Sequence, residues 1–173
     1  MDTKSGLAQF TPAQIEEVNQ SVTLAEELVS NFYKMSSNEW LRPRYDVKTL
    51  AELSPKEIVE EPFAQIIRYQ GKPKGATLGS ESYDFYKICI QDHNILKALK
   101  AKPQLSLTPF CVYIVAHELI HIVRFSKFLQ SFDANSDEIL AEEKRVHTLT
   151  YDVISKVQLP GIDHVLRYYR RWR

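Results

Sequence analysis

The chain has few cysteines and no excess of positive or negative charge. Only two of its 173 residues are cysteines, Cys89 and Cys111, which is too few for a disulfide framework. Both lie in apolar runs, where buried free thiols are expected. Lys plus Arg equals Asp plus Glu at 22 each, and a net charge of zero argues against nucleic acid as the main partner. With five glycines, the chain has no glycine-rich loop for a substrate.

Long apolar segments are also missing. No uninterrupted apolar run has the 18 or more residues of a membrane span, and the polar stretch Met1–Ser5 lacks the pattern of a signal peptide. We therefore expect a cytoplasmic protein with no membrane partner. A length of 173 residues with 44% hydrophobic content suits one domain, 1–173, with a proper core. Residues 1–10 are expected to be flexible.

The most informative stretch is Ala116-His117-Glu118-Leu119-Ile120-His121, an instance of H-E-x-x-H. Thr108 and Pro109 predict the start of a helix, and the residues that follow are so apolar that this helix should be buried. Two histidines four apart share one helix face and can bind one metal ion, of which Zn²⁺ is the usual choice. Glu118 is then the candidate catalytic base, which takes a proton from a water that the metal activates.

A zinc site needs a third protein ligand, and the next predicted helix, at about 138–157, offers several. Glu143 is the first choice and Glu142 the second, while Glu138 and Glu142 form a rival pair at the same spacing. His147 lies one turn after Glu143. His147 is therefore a candidate for one of three roles. It could support a metal ligand from behind, act as a catalytic donor to the transition state, or itself be the third ligand. Tyr151 and His164 are further candidate donors.

The remaining chain predicts a mostly helical α+β domain with a small antiparallel sheet or hairpin near the H-E-x-x-H helix. Thr11 and Pro12 begin an amphipathic helix that should reach about Met35. Residues 63–70 and 83–92 are predicted strands around a Gly/Pro turn at 71–75. Residues 36–45 are predicted as a connector, and 46–53 as a short helix. Ser136 or Asp137 should cap the helix at 138–157, and Asp163 should cap a last helix.

A strand, a helix with HELIH and a helix with a glutamate some twenty residues later together resemble the zincin metallopeptidases, and within them the gluzincins. The resemblance covers about residues 83–157. It implies a zincin-like fold, His117 and His121 as zinc ligands, Glu118 as base and Glu143 or Glu142 as third ligand. It also implies a peptide or protein substrate aligned along an edge strand near Tyr86 to Gln91. Glu142 and His147 stand where gluzincins usually carry an asparagine and an acidic residue.

Two other functions fit the same residues. The zincin core could serve as a metal-stabilised regulatory or binding module without catalysis. Alternatively, Glu118-Leu119-Ile120-His121 is a Glu-x-x-His sequence, and two such sequences form part of the metal site in di-iron carboxylate proteins. This chain would then supply half of that motif. The Arg- and aromatic-rich segment Arg167–Arg173 could stack on nucleic acid, but zero net charge favours a terminal helix that docks its aromatic rings and leaves its arginines in water.

Overall fold

Along the described chain one helix is followed by three strands and then by four helices. The computed structural model describes residues 4–36, 44–71, 83–127, 129 and 131–173. In chain order these residues form α1 (Pro12–Tyr33), β1 (Arg44–Lys48), β2 (Ala64–Gly71), β3 (Tyr83–Ile90), α2 (Asp92–Ala101), α3 (Leu107–Ser126), α4 (Ser136–Ile154) and α5 (Ile162–Tyr168). Single 3₁₀ turns lie at Leu50–Glu52, Pro55–Glu57 and Arg170–Trp172. The predicted mostly helical α+β class is confirmed.

Helix α1 begins at the predicted residues. Thr11 and Gln14 form a reciprocal capping box, and Pro12 occupies the first helical position. The helix ends at Tyr33, and the next residue, Lys34, caps it with a left-handed backbone at φ 54°. Its buried face, which includes Val18, Ala25 and Val29, packs along α3. The segment before α1 is also held in place, because the Phe10 amide donates to the buried Asp92 carboxylate. Residues 1–3 lie outside the described part of the chain, so their flexibility stays a prediction.

The described residues form one sheet of three strands in the order β1-β3-β2. The predicted antiparallel pairing of β2 with β3 is confirmed, with Ile66 opposite Ile88, while the turn predicted at 71–75 lies, beyond Gly71, outside the described residues. The sheet as a whole is mixed, because β1 runs parallel to β3. The prediction that the strand at Tyr86 to Gln91 is an edge strand is wrong. That strand is central, and β2 lies at the edge.

Strand β1 explains this error. Residues 46–48 were predicted as part of a helix, but they belong to β1, and the helical prediction holds only for the short turn at Leu50–Glu52. Tyr45 and Val47 alternate along the strand and lie opposite Tyr86 and Ile88 of β3. Pairing with residues 41 positions later in the chain thus overrides a weak local helix preference. Trp40 and Pro43 of the predicted connector lie outside the described residues.

Strand β3 separates two apolar layers. Tyr86, Ile88 and Ile90 face the helices in the main core, whereas Cys89 faces a smaller cluster with Leu50 and Leu53. The smaller layer also buries a charge. Glu57 is only 2% exposed, and its Oε2 atom forms a salt bridge with Lys87 Nζ at 2.6 Å.

Helix α3 lies at the centre of the fold and contacts α1, α4, α5 and β2. It begins at Leu107, two residues before the predicted start, with Ser106 rather than Thr108 at the cap position. The Thr108 hydroxyl instead donates to Glu17 of α1. By length and hydropathy alone α3 could cross a membrane, yet 89% of that apolar stretch is buried inside the protein. Core helices meet the same criterion, so this helix is weak evidence for a membrane span.

The last two helices begin slightly differently from the prediction. Asn135, not Ser136 or Asp137, caps α4 and forms a capping box with Glu138. Gly161, not Asp163, precedes α5, with φ 84°. A side chain there would be strained, and its Cβ would lie 2.8 Å from Ser106 Oγ. Gly161 therefore lets the chain turn tightly against the start of α3.

The Glu57–Lys87 pair predicts a measurable stability difference. Replacing Lys87 by methionine would leave the Glu57 carboxylate buried without its cation, which costs about 3 kcal/mol of unfolding free energy in comparable cases. Burial by itself would raise the pKa of Glu57, but hydrogen bonds from Lys87 and Ser54 lower it from 4.5 to about 2. The contribution of the Glu57–Lys87 pair to the unfolding free energy is therefore complete above pH 4.5 and is lost as the pH falls towards 2.

Urea unfolding of the wild type and Lys87→Met at pH 7 and at pH 3 measures this effect. We expect the difference between the two proteins to shrink at pH 3. The double variant Glu57→Gln/Lys87→Met, which buries no charge, should recover part of the lost stability. An equal difference at both pH values would contradict this assignment.

Candidate metal centre

One face of α3 carries a line of aromatic and imidazole rings. Tyr113, His117, His121 and Phe125 follow one another at four-residue intervals, so each ring lies one turn from the next. From Pro109 to Arg124 every residue is buried except Glu118, which is partly exposed. The helix thus brings two imidazoles into an apolar core, where they need polar partners.

Helix α4 supplies the partner. Glu143 places Oε2 3.1 Å from His117 Nε2 and Oε1 2.8 Å from His121 Nε2. The two histidine Nε2 atoms are themselves 3.2 Å apart. Three potential ligand side chains from two helices, with two nitrogen and two oxygen atoms, therefore form a compact triangle. The sequence indicated both histidines and ranked Glu143 first among the acidic candidates.

His147 lies beside this triangle but is less close. Its Nε2 is 3.9 Å from Glu143 Oε2, and suitable atoms of His117, Glu143 and His147 lie within 4.8 Å of one another. The other ring nitrogen, Nδ1, is 2.9 Å from the hydroxyl of Tyr113. His147 therefore bridges the cluster and a buried tyrosine.

Burial controls the charges of the cluster. Desolvation lowers the pKa of His117, against the opposing effect of Glu143. Desolvation and the neighbouring His117 lower the pKa of His147 to about 3. Burial would raise the pKa of Glu143, but hydrogen bonds to His117 and His121 hold it well below its usual range. At neutral pH the cluster thus combines neutral imidazoles at 117 and 147 with a carboxylate.

This donor set suits a divalent transition metal. Imidazole nitrogens and one carboxylate are ligands that zinc accepts. Neutral histidine and ionised glutamate are the forms that bind a metal. His117 Nδ1 is buried and has no hydrogen-bond partner among the described residues. Metal-binding histidines usually donate that hydrogen to an acceptor, so here the ring is oriented by packing against Tyr113 and His147 instead.

The rival carboxylates are engaged elsewhere. Glu142 is buried between Arg124 of α3, which pairs with it through Nε and Nη2, and Arg145 at 3.0 Å. Glu138 is exposed and accepts a hydrogen bond from the Asn135 amide at the start of α4. The structure therefore does not bring Glu142 or Glu138 into the cluster. Glu142 instead joins the two helices that carry the candidate ligands.

A cavity of about 480 Å³ opens onto the cluster. Glu118, Glu143 and His147 line its polar side. Its apolar wall comes from several elements: Phe63, Ile66, Phe125, Phe132, Ile139 and Trp172. Burial raises the pKa of Glu118 to about 8, and the nearby Glu143 adds to the rise. A cation beside this carboxyl group would lower that pKa again.

The strand that borders the cavity is β2, not the predicted β3. Residues 61–66, which lead into and begin β2, form one wall. Within the described chain β2 pairs only with β3. No described strand pairs with its outer edge, and residues 61–66 line the cavity, which is the position that the resemblance assigned to the strand at Tyr86 to Gln91.

The sequence did not single out Tyr113 or Arg124, and it predicted that the C-terminal aromatic rings dock on the protein without connecting them with the site. Tyr169 stacks on Tyr113 with ring centroids 3.9 Å apart, and Trp172 lies against His147. The four-residue spacing of Tyr113 before His117 was the one available signal. Tyr151 and His164, the two further candidate donors, are not among the described residues that line the cavity. Tyr151 packs under the guanidinium of Arg173, and His164 is exposed.

Comparisons of this chain with models of protein families, with curated proteins and with solved structures find no match.

The pair between Arg124 and Glu142 predicts a contrast between two arginines that share one carboxylate. Arg124→Met should lower the unfolding free energy by about 3 kcal/mol, because it leaves buried Glu142 without its buried cation. Arg145 is 59% exposed, so Arg145→Met should change stability by less than about 1 kcal/mol. Urea unfolding of both variants measures the contrast, and equal losses would contradict the role assigned to Arg124.

Proposed function

We propose that this protein is a zinc-dependent hydrolase, most simply a metallopeptidase. The observation that carries the proposal is the approach of His117, His121 and Glu143 to within 2.8–3.2 Å of one another beside a cavity lined by Glu118. In this proposal these three side chains hold the metal. A zinc ion there would supply a Lewis acid that polarises a carbonyl group and lowers the pKa of a water molecule.

Glu118 is the residue suited to move the proton. It follows His117 directly and is the one residue of the buried part of α3 that remains partly exposed. Because it lines the cavity and does not join the triangle of ligand atoms, its carboxylate is available to accept a proton from water and to return it to a leaving amine. This is also the role that the gluzincin resemblance implies.

The outer edge of β2, which no described strand occupies, supports a peptide substrate. An extended peptide can add to an open sheet edge through main-chain hydrogen bonds, while its side chains enter adjacent pockets. The edge and the cavity share residues 61–66, so a peptide bound along β2 would pass next to Glu118 and Glu143. The aromatic and aliphatic wall favours a bulky apolar side chain near the cleaved bond.

The charges around the cavity favour acyl over phosphoryl transfer. Among the described residues that line it there is no lysine or arginine, and three are acidic: Glu61, Glu118 and Glu143. A phosphate ester would need cationic partners for its oxygens. A peptide carbonyl develops a single negative charge and needs fewer donors.

The base assignment predicts that Glu118→Gln keeps zinc but loses hydrolysis. The amide cannot accept the proton, so the rate on an unstructured, apolar-rich protein such as casein should fall by about a hundredfold or more. The exposed Glu16→Gln on α1 is the matched control and should behave as the wild type. Retained cleavage in a zinc-loaded Glu118→Gln protein would refute the mechanism.

The ligand assignment predicts that zinc stabilises the fold. At a free concentration 1,000 times its dissociation constant, zinc should add about 4 kcal/mol of unfolding free energy. His121→Ala should abolish this gain, whereas alanine at the exposed His164 should not. Thermal unfolding with zinc and with a chelator measures both. Stabilisation of the wild type without turnover of any peptide or ester would favour the regulatory metal-binding module instead, and no stabilisation would contradict the site.

A further inference from the structure

The contact between Tyr113 and His147 determines where the imidazole carries its hydrogen. Tyr113 Oη lies 2.9 Å from His147 Nδ1, and the tyrosine is fully buried. Stacking of Tyr169 on its ring, with planes 10° apart, holds the phenol in position. The hydroxyl therefore has a fixed direction and a fixed partner.

Counting hydrogens leaves one arrangement. Among the described residues, His147 Nδ1 is the one hydrogen-bond partner of the Tyr113 hydroxyl. If Nδ1 carried a hydrogen and donated it, the phenolic hydrogen would remain buried without an acceptor, which is unfavourable. If the phenol donates, both atoms are satisfied. Burial raises the pKa of Tyr113, so the phenol keeps its hydrogen.

The donated hydrogen bond requires a bare Nδ1. A neutral imidazole then carries its single hydrogen on Nε2. That nitrogen faces Glu143 from 3.9 Å, which is too long for a direct hydrogen bond. The hydrogen is thus available to the cavity that His147 lines.

We propose that Tyr113 is a positioning residue that keeps neutral His147 in the Nε2–H form, so that His147 stays out of the metal's ligand set and donates a hydrogen bond to an oxygen atom of the bound substrate. The donor role rests on the proposed hydrolase function, whereas the position of the hydrogen does not. Histidines that bind metals through Nε2 show the opposite arrangement, with Nδ1 donating to an acceptor.

The distances agree with this division of roles. His117, His121 and Glu143 place nitrogen and oxygen atoms within 3.2 Å of one another, whereas His147 Nε2 is 3.9 Å from Glu143 Oε2 and its closeness to His117 is one of ring packing, with centroids 4.2 Å apart. A donor at that position can stabilise negative charge that develops on a carbonyl oxygen during hydrolysis. Because the donor is neutral and lies in a cavity without cationic side chains among its described lining residues, it suits a peptide or ester better than a phosphate.

Nitrogen NMR of the ¹⁵N-histidine-labelled protein tests the proposal without relying on activity. In zinc-free wild type we expect His147 Nδ1 to resonate as an unprotonated nitrogen and Nε2 as a protonated one, with at least about a tenfold preference. In Tyr113→Phe this preference should be lost or reversed. Tyr168→Phe, a ring in the same aromatic cluster, should leave it unchanged. An unprotonated Nε2 in the wild type, or an unaltered spectrum in Tyr113→Phe, would overturn the proposal.

Zinc affinity and kinetics complete the test. Tyr113→Phe and His147→Ala should bind zinc within about threefold of the wild type, since changes behind a true ligand usually cost 10–100-fold or more. Both variants should lower kcat and leave KM nearly unchanged. A large loss of zinc affinity in both would make His147 a ligand and overturn the proposal. If the spectrum is as expected but the wild type hydrolyses nothing, the hydrolase function and the donor role fail together, while the tautomer assignment stands.

Discussion

The burial of two imidazoles inside an apolar helix is the constraint on which the rest of the structure depends. His117 and His121 are 7% and 6% exposed, and α3 around them has almost no contact with water. Unsatisfied polar groups there would destabilise the core. Glu143 meets this need from α4, and it can do so because Arg124 and Glu142 join the same two helices immediately beside it. The Arg124–Glu142 pair and the cluster of His117, His121 and Glu143 are thus parts of one interface between α3 and α4.

The elements outside that interface shape the space in front of it. Strand β2 contributes an edge that no described strand occupies, and the loop before α4 contributes Phe132. The C-terminal turn adds Trp172, and Tyr169 fixes Tyr113 and through it His147. The proposed hydrolase uses each of these features: a triangle of ligand atoms, a carboxyl group that is free of it, an edge for a peptide and an oriented imidazole. A di-iron site would instead need a four-helix bundle, and here a mixed sheet packs against the helices.

Local signals predicted the fold where the chain itself supplies the stabilising contacts. Thr11 and Gln14 cap α1 within four residues, so its start could be read from the sequence. The antiparallel pairing of β2 with β3 follows a simple order along the chain. β1 was missed because its partner, β3, is distant in sequence and its five residues carry little pattern of their own. This error also misplaced the sheet edge.

The site was predictable to a similar extent. H-E-x-x-H fixes the relation of His117, Glu118 and His121 through helix geometry alone. The choice between Glu142 and Glu143 depends on how α4 is rotated against α3, which is set by the Arg124–Glu142 pair and by the apolar face of α4. Neighbouring glutamates look equivalent until that rotation is known. Tyr113 acquires a role only through its contact with His147, 34 positions later.

Metal content and coordination of the purified protein test the central claim most directly. We expect one zinc ion per chain, bound by two imidazole nitrogens and a carboxylate in X-ray absorption spectra, and its loss in both His117→Ala and Glu143→Ala but not in Glu138→Gln, which changes an exposed glutamate outside the cluster. A chain that binds no metal, or one whose zinc survives the loss of His117, would contradict it.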